Sequence, residues 1–197
     1  DLTHSYIPIN LNGYSWVLVN SNIKHNLAVD SEYNKRRVSC ENIVKQVQEY
    51  KPQITSLREV DKDDLEKIKE KVNLIDVQRA TYIIEENERV LKMMQMLTNG
   101  DAVGVGKVLK EGHWAMSTQY EITTSELDYL VQIGEELEGV LGSRMMGGGF
   151  GGCTINLMET ENLESNIRSL LQSYKEKTNI DAEFYHLDID DGVKVFE

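Results

Sequence analysis

The sequence predicts an α+β domain in which helices pack against a mostly antiparallel sheet. Three observations carry that expectation: a strand-like run near the start, a long block of helical periodicity in the middle, and a strand, helix, strand order at the end. The strict alternation of strand and helix that a doubly wound fold needs is absent. No internal repeat, low-complexity tract or linker interrupts the chain.

Trp16-Val17-Leu18-Val19 is a continuous apolar run between Asn12-Gly13 and Asn20-Ser21-Asn22, which reads as a central strand leading into a polar loop. Cys40, Ile43, Val44 and Val47 then recur at the spacing of one helical face, bounded by Pro52. Residues 61–71 are dense in opposite charges and predict a short exposed helix. From 76 to 97 the pattern lengthens, with Ile83, Val90, Leu91, Met94 and Leu97 on one stripe, closed by Asn99-Gly100-Asp101. Another helix is expected over 103–117. Thr123 followed by Glu126 has the spacing of a capping box and opens a helix through Leu127, Leu130, Val131 and Leu137. After a glycine run, 153–158 reads as a strand, and Leu163, Ile167, Leu170, Leu171 and Tyr174 trace an amphipathic helix. A last strand is expected over 182–187, followed by a turn at Asp190-Asp191-Gly192, with 193–196 pairing behind it.

A net charge of -12 and a pI near 4.8 argue against broad binding to nucleic acid or an anionic membrane, because the summed field repels phosphate at long range. A local phosphate site is still compatible with that charge, since backbone amides at a glycine turn hold anions inside acidic proteins. Cys40 and Cys153 are the only cysteines and lack any metal or redox spacing, so two reduced thiols are expected, and four scattered histidines form no metal cluster. With no signal-peptide pattern and no run of 18 uncharged apolar residues, a cytoplasmic location is expected.

The feature that points to function is the run of Gly147, Gly148, Gly149, Gly151 and Gly152, interrupted only by Phe150. Glycine loses the most backbone freedom on folding, so such a run supplies positive φ or close approach of a ligand or another domain. The alternative is a tight turn that only lets a strand begin beside the preceding helix. The run is no P-loop, because no Gly-Lys-Ser or Gly-Lys-Thr follows, and no dinucleotide fingerprint, because it is expected to enter a strand and not to leave one. Ser143 and Arg144 just upstream add a hydroxyl and a forked donor suited to oxyanions, or a salt bridge to an acidic neighbour. Lys24, between a strand end and a helix start, suits an anion as well as it suits solvent. Tyr33 taken alone reads as a packing residue, and Arg36 and Arg37 as cations for an anion or an acidic neighbour.

Ser143-Arg144-Met145-Met146-Gly147-Gly148-Gly149-Phe150-Gly151-Gly152-Cys153 resembles the third conserved motif of the galactokinases, within the GHMP small-molecule kinases. Asn20-Ser21-Asn22-Ile23-Lys24-His25, Ser31-Glu32-Tyr33-Asn34-Lys35-Arg36-Arg37, Tyr120-Glu121-Ile122-Thr123 with Glu126-Leu127-Asp128, and the tail around Glu183-Phe184-Tyr185 agree in order and spacing. The resemblance covers nearly all of the chain. It implies that residues 1–197 are a galactokinase-like C-terminal domain, in a ferredoxin-like arrangement with extra helices, whose N-terminal half is absent. It further implies ATP- and Mg²⁺-dependent phosphorylation of the anomeric hydroxyl of α-D-galactose, with sugar and nucleotide in a cleft between the two halves. The proposed base and the serine-rich phosphate loop belong to the absent half, so no catalytic residue and no metal ligand is expected here, and the isolated chain is expected to be inactive.

Under the same resemblance Tyr33 hydrogen-bonds a sugar hydroxyl, Lys24 lies near the transferred phosphate, and residues 147–152 support the cleft. Met146 stands where the motif usually has threonine, Thr81-Tyr82 where a histidine is common, and Met116-Ser117-Thr118-Gln119 where the stretch is more acidic. Another sugar kinase of the superfamily, or a sugar- or nucleotide-sensing homologue that has lost transfer, are the rival readings, and a stand-alone binding module is a third.

Overall fold

The computed structural model describes residues 5–23 and 29–190, with only the backbone of residues 29–31. Four strands, β1 (Tyr14–Asn20), β2 (Val140–Met146), β3 (Cys153–Glu159) and β4 (Glu183–Leu187), form one sheet in the order β2-β3-β1-β4. All the pairs are antiparallel, and β1 runs against β3 from Tyr14 opposite Glu159 to Asn20 opposite Cys153. That strand order, with helices inserted after β1 and after β3, is the ferredoxin-like arrangement.

Strand alternation divides the apolar residues between two faces. Val17, Val19 and Met158 join the main core beneath α5 (Ser125–Glu136) and α6 (Leu163–Thr178), whose Leu127, Leu130, Leu170 and Tyr174 are fully buried. Trp16, Ile155 and Leu157 face the other way, against α4 (Ala102–Ala115) and the end of α3 (Leu74–Thr98). A separate helical core joins α1 (Val29–Val47), α2 (Lys62–Ile68) and the first half of α3 through Ile43, Val47, Leu65, Ile68, Ala80 and Ile84.

Several local expectations are corrected. The helix at 62–68 is not simply exposed: Asp64, Leu65 and Ile68 are buried, and the charges that suggested solvent include its own cap, in which Asp61 accepts the Asp64 N–H. The predicted stripe on α3 is rotated, because Arg79, Tyr82 and Arg89 are buried while Val90 and Leu91 are 53% and 67% exposed. The arginines bury their stems with their heads paired, Arg89 on Glu86 at 2.6 Å and Arg79 on Glu121 at 3.2 Å, a pattern that hydropathy alone reads backwards. The cap of α5 is Thr124, which accepts the Leu127 N–H at 3.3 Å, one residue after the Thr123 that the spacing selects. The turn and pairing expected at 191–196 lie outside the described residues.

The largest correction is β2, which the sequence reading passed over because Gly142, Ser143 and Arg144 interrupt its apolar pattern. Gly142 is there because α4 lies against this edge strand. A Cβ on Gly142 would sit 2.1 Å from the carbonyl oxygen of Gly106, and one on Gly106 would sit 2.3 Å from that of Leu141. Helix α4 thus covers the β2 edge, which would otherwise present unpaired backbone groups.

Gly142→Ala is therefore expected to destabilise the domain by about 2–4 kcal/mol, since neither backbone can retreat without unpacking α4. Urea denaturation measures it, and a loss below about 0.5 kcal/mol would show that the contact is pliable.

The buried Asp64 carboxylate predicts an acid response. Burial pushes its pKa up, but hydrogen bonds from Lys51, the Asp61 backbone and Tyr50 outweigh that and leave it below the ordinary value of 3.8. With the folded value depressed, the stabilisation is complete above the unfolded value and disappears as pH falls through the folded one. Asp64→Asn should lower the melting temperature at neutral pH and flatten its fall below about pH 4. A parallel acid transition in wild type and variant would count against this role.

Candidate functional site

One end of the sheet gathers the predicted site. Strand β1 leaves it at Asn20, β2 enters the glycine turn after Met146, and β3 begins at Cys153. The turn at 147–152 thus leaves one strand and enters another, so it is a hairpin connection and not a helix-to-strand junction. The dinucleotide fingerprint stays excluded for a different reason: no helix follows the glycines.

The five glycines divide into two groups. Gly149 and Gly151 serve packing: a Cβ on Gly149 would sit 2.3 Å from the Ile122 carbonyl oxygen, and one on Gly151 would sit 2.6 Å from that of Ile23. Both also have positive φ, 89° and 140°. Gly147, Gly148 and Gly152 have no atom within 4 Å of where a Cβ would stand, so their backbone faces open space. Gly147 and Gly152 also have positive φ, 93° and 88°, so the tight-turn alternative accounts for four of the glycines, and Gly148 is the one that neither backbone conformation nor packing requires.

The turn is held at three points. The Phe150 N–H donates to Ile122 O at 2.7 Å, and Phe150 takes the left-handed conformation, φ 60°, rare outside glycine and asparagine. Gly152 O accepts both the backbone N–H of Ser21, at 3.0 Å, and its hydroxyl, at 2.7 Å, while Tyr174 donates to Ser21 O at 2.9 Å. Burial, then the charge of Glu126, pushes the Tyr174 phenol up to about 12, so it stays a donor across the physiological range. Arg36 from α1 lies 5.0 Å from the centre of the Phe150 ring. The same guanidinium donates to Tyr120 O at 2.7 Å and to Glu121 O, and pairs with Glu32 at 3.0 Å. Those carbonyls end a π-helical turn, Met116–Tyr120, with Glu121 in the left-handed region.

Each predicted residue can now be placed. Tyr33 is on α1, one turn before Arg36, and at 65% exposed it is not the packing residue its type suggested. Lys24 lies outside the described residues. Arg36 has taken its acidic neighbour and two carbonyls, and Arg37 pairs with Glu41 at 2.7 Å. Arg144 lies over Gly112 and pairs with Glu86, the ordinary alternative to an oxyanion, while the Ser143 hydroxyl is buried. Cys40 and Cys153 are free thiols, with burial as the first cause pushing both up. No group of three or more His, Cys, Asp or Glu among the described residues is placed to hold a metal ion, and no helix among them is long and apolar enough to cross a membrane.

The residue that the sequence reading missed is His113, fully buried on α4. Its Nδ1 accepts the Met145 N–H at 3.1 Å, and its Nε2 lies 3.1 Å from Oδ1 of Asp128. The signal was present: Val105, Leu109, His113 and Met116 follow helical spacing, so the histidine sits on an apolar face.

The fold is that of a GHMP kinase C-terminal domain, and residues 93–177 match the family described as GHMP kinases C terminal. The chain is 39% identical over 194 residues to a galactokinase of Clostridium acetobutylicum, covering 98% of this chain and 49% of that protein. It is 40% identical over 193 residues to a galactokinase of Thermotoga petrophila, covering 98% of this chain and 52% of that one. The crystal structure of Lactococcus lactis galactokinase complexed with galactose superposes with a TM-score of 0.86 at 30% identity, over 94% of this chain and 47% of that one. The chain spans about half the length of the curated relatives it matches.

The two groups of glycines make a paired prediction. Gly149→Ala should cost about 2–4 kcal/mol of stability, from its positive φ and the Ile122 carbonyl. Gly148→Ala, in open space, should change stability by less than about 0.5 kcal/mol. Thermal denaturation of both variants reads the difference, and equal losses would refute the division.

Proposed function

We propose that this chain, with the fold of a GHMP kinase C-terminal domain, is the C-terminal half of a galactokinase, which moves the γ-phosphoryl of ATP to the C1 hydroxyl of α-D-galactose. The observation that carries the reading is similarity to galactokinases along 98% of the chain, at 39–40% identity. The galactose-bound relative with a TM-score of 0.86 supports the same sugar. Phosphoryl transfer needs little covalent chemistry from the protein, so the task divides into positioning and charge stabilisation. This half contributes chiefly the first, with Lys24 as its share of the second.

Gly147, Gly148 and Gly152 supply backbone that another molecule can approach closely, with no side chain between. Tyr33, with its ring exposed, offers a hydroxyl to the sugar, and Lys24 a cation to the phosphate. The cleft-side cations that are described, Arg36 and Arg144, are already bonded, Arg36 to carbonyls and Glu32 and Arg144 to Glu86, so they stiffen the wall and do not travel with the phosphoryl group. Mg²⁺ supplies charge neutralisation in such a reaction. The family resemblance assigns the metal and the base to the other half. The surface carrying Tyr33 and the open glycines is the wall turned toward that half, and the isolated chain lacks activity.

The test is formation of galactose 1-phosphate from ATP and galactose by the chain alone and by the parent protein. Activity in the parent only is expected, and activity in the isolated chain, or in neither, would overturn the reading. In the parent, Tyr33→Phe should raise KM for galactose about five- to tenfold with kcat little changed, the signature of one lost ground-state hydrogen bond. Lys24→Met should instead lower kcat by an order of magnitude or so, and a change confined to KM would remove it from the phosphate's neighbourhood.

A further inference from the structure

We propose that His113 and Asp128 are positioning residues that set the glycine turn for phosphoryl transfer. The inference rests on the kinase reading above and concerns two residues that the reading does not use. The turn has two flanks, and one network of contacts around the buried His113 links both. On the entering flank, the Met145 N–H projects from the outer edge of β2, where no strand can receive it, and His113 Nδ1 accepts it at 3.1 Å. On the leaving flank, the Phe150 N–H rests on Ile122 O, next to Thr123.

Asp128 joins the flanks. Its carboxylate faces His113 Nε2 at 3.1 Å, accepts the Ser117 hydroxyl at 2.7 Å, and has the Thr123 side chain among the groups that favour its charged form. Ser117 belongs to the π-helical turn whose end Arg36 holds, so α4 meets this carboxylate of α5 directly, β2 meets it through His113, and α1 only by way of that turn. The strand N–H on Nδ1 and the carboxylate beside Nε2 together orient the ring between strand and α5. Removing the acceptor frees Met145, two residues before Gly147, with no other partner at the edge of the strand. A displacement of about 1 Å at a positioning element costs up to roughly a hundredfold in turnover, which makes kcat the sensitive readout.

The experiment uses the parent protein with His113→Phe, which keeps a ring but has no acceptor, and His113→Asn, whose Oδ1 stands where Nδ1 stood. His113→Phe should lower kcat for galactose phosphorylation about ten- to a hundredfold, leave KM for galactose and ATP within about threefold, and speed exchange of the Met145 amide at least tenfold. His113→Asn should recover most of the kcat and of the amide protection. Wild-type kcat in a folded His113→Phe protein, or an asparagine variant no better than the phenylalanine one, would overturn the proposal. If His113→Phe does not fold, Asp128→Asn is read the same way, and wild-type turnover in it would overturn the link between the flanks. Should the unaltered parent fail to phosphorylate galactose, the kinase reading fails by itself. The Met145 amide then still decides the clamp, and unchanged protection in His113→Phe would sink it.

Discussion

The contact on which the rest of the domain depends is the approach of α4 to the edge strand β2 through Gly106 and Gly142, close enough that neither position has room for a methyl group. It closes one edge of the sheet without another strand. It also brings the histidine of α4 within reach of a strand N–H and lays Arg144 across Gly112 toward Glu86 on α3. A helix held one side chain farther out would reach none of these partners. Two small residues, far apart in the chain, therefore decide where the glycine turn starts.

From that start the site is built by exclusion of freedom. A glycine-rich segment alone would sample many conformations, and its ordering must be offset by specific bonds. Here the bonds come from Ile122 and Ser21, on two different connections, and from Arg36 on α1, with Tyr174 and Glu32 securing Ser21 and Arg36 in turn. Phe150 is the one non-glycine residue of the turn, and its left-handed backbone is held by a hydrogen bond on one side and a guanidinium on the other. What remains open, at Gly147, Gly148 and Gly152, is open because everything around it is fixed. That is the arrangement expected of a surface built for close registration with another molecule.

The strands at 14–20, 153–159 and 183–187 and the helix through Tyr174 were legible from period and turn residues, as was the order that selects an antiparallel sheet. Strand β2 was not, because its glycine and arginine answer to α4 and Glu86, partners that are remote in sequence. The rotated face of α3 failed for a related reason: hydropathy counts Arg79 and Arg89 as surface residues, and their burial depends on Ser39, Glu121 and Glu86. In the site, the glycines stood out at once because their composition is extreme. The division of labour among them was illegible, since it rests on where the Ile23 and Ile122 carbonyls lie. His113 could have been singled out as a polar residue on an apolar face, but its partner, a backbone amide, leaves no mark on a sequence.

The pairing of β1 with β3 has a consequence in time. During synthesis at roughly 5–20 residues per second, Cys153 is added to the chain roughly 7–27 s after Asn20, the residue it will face. Through that interval Val17, Leu18 and Val19 lack the central neighbour that later buries them. The α1–α2–α3 core needs only residues 43–84 and can close while β1 waits. A nascent chain of this protein therefore carries, for seconds, a compact helical body trailing an unpaired apolar strand, so the speed of the ribosome across the helical block decides how long a chaperone must guard it.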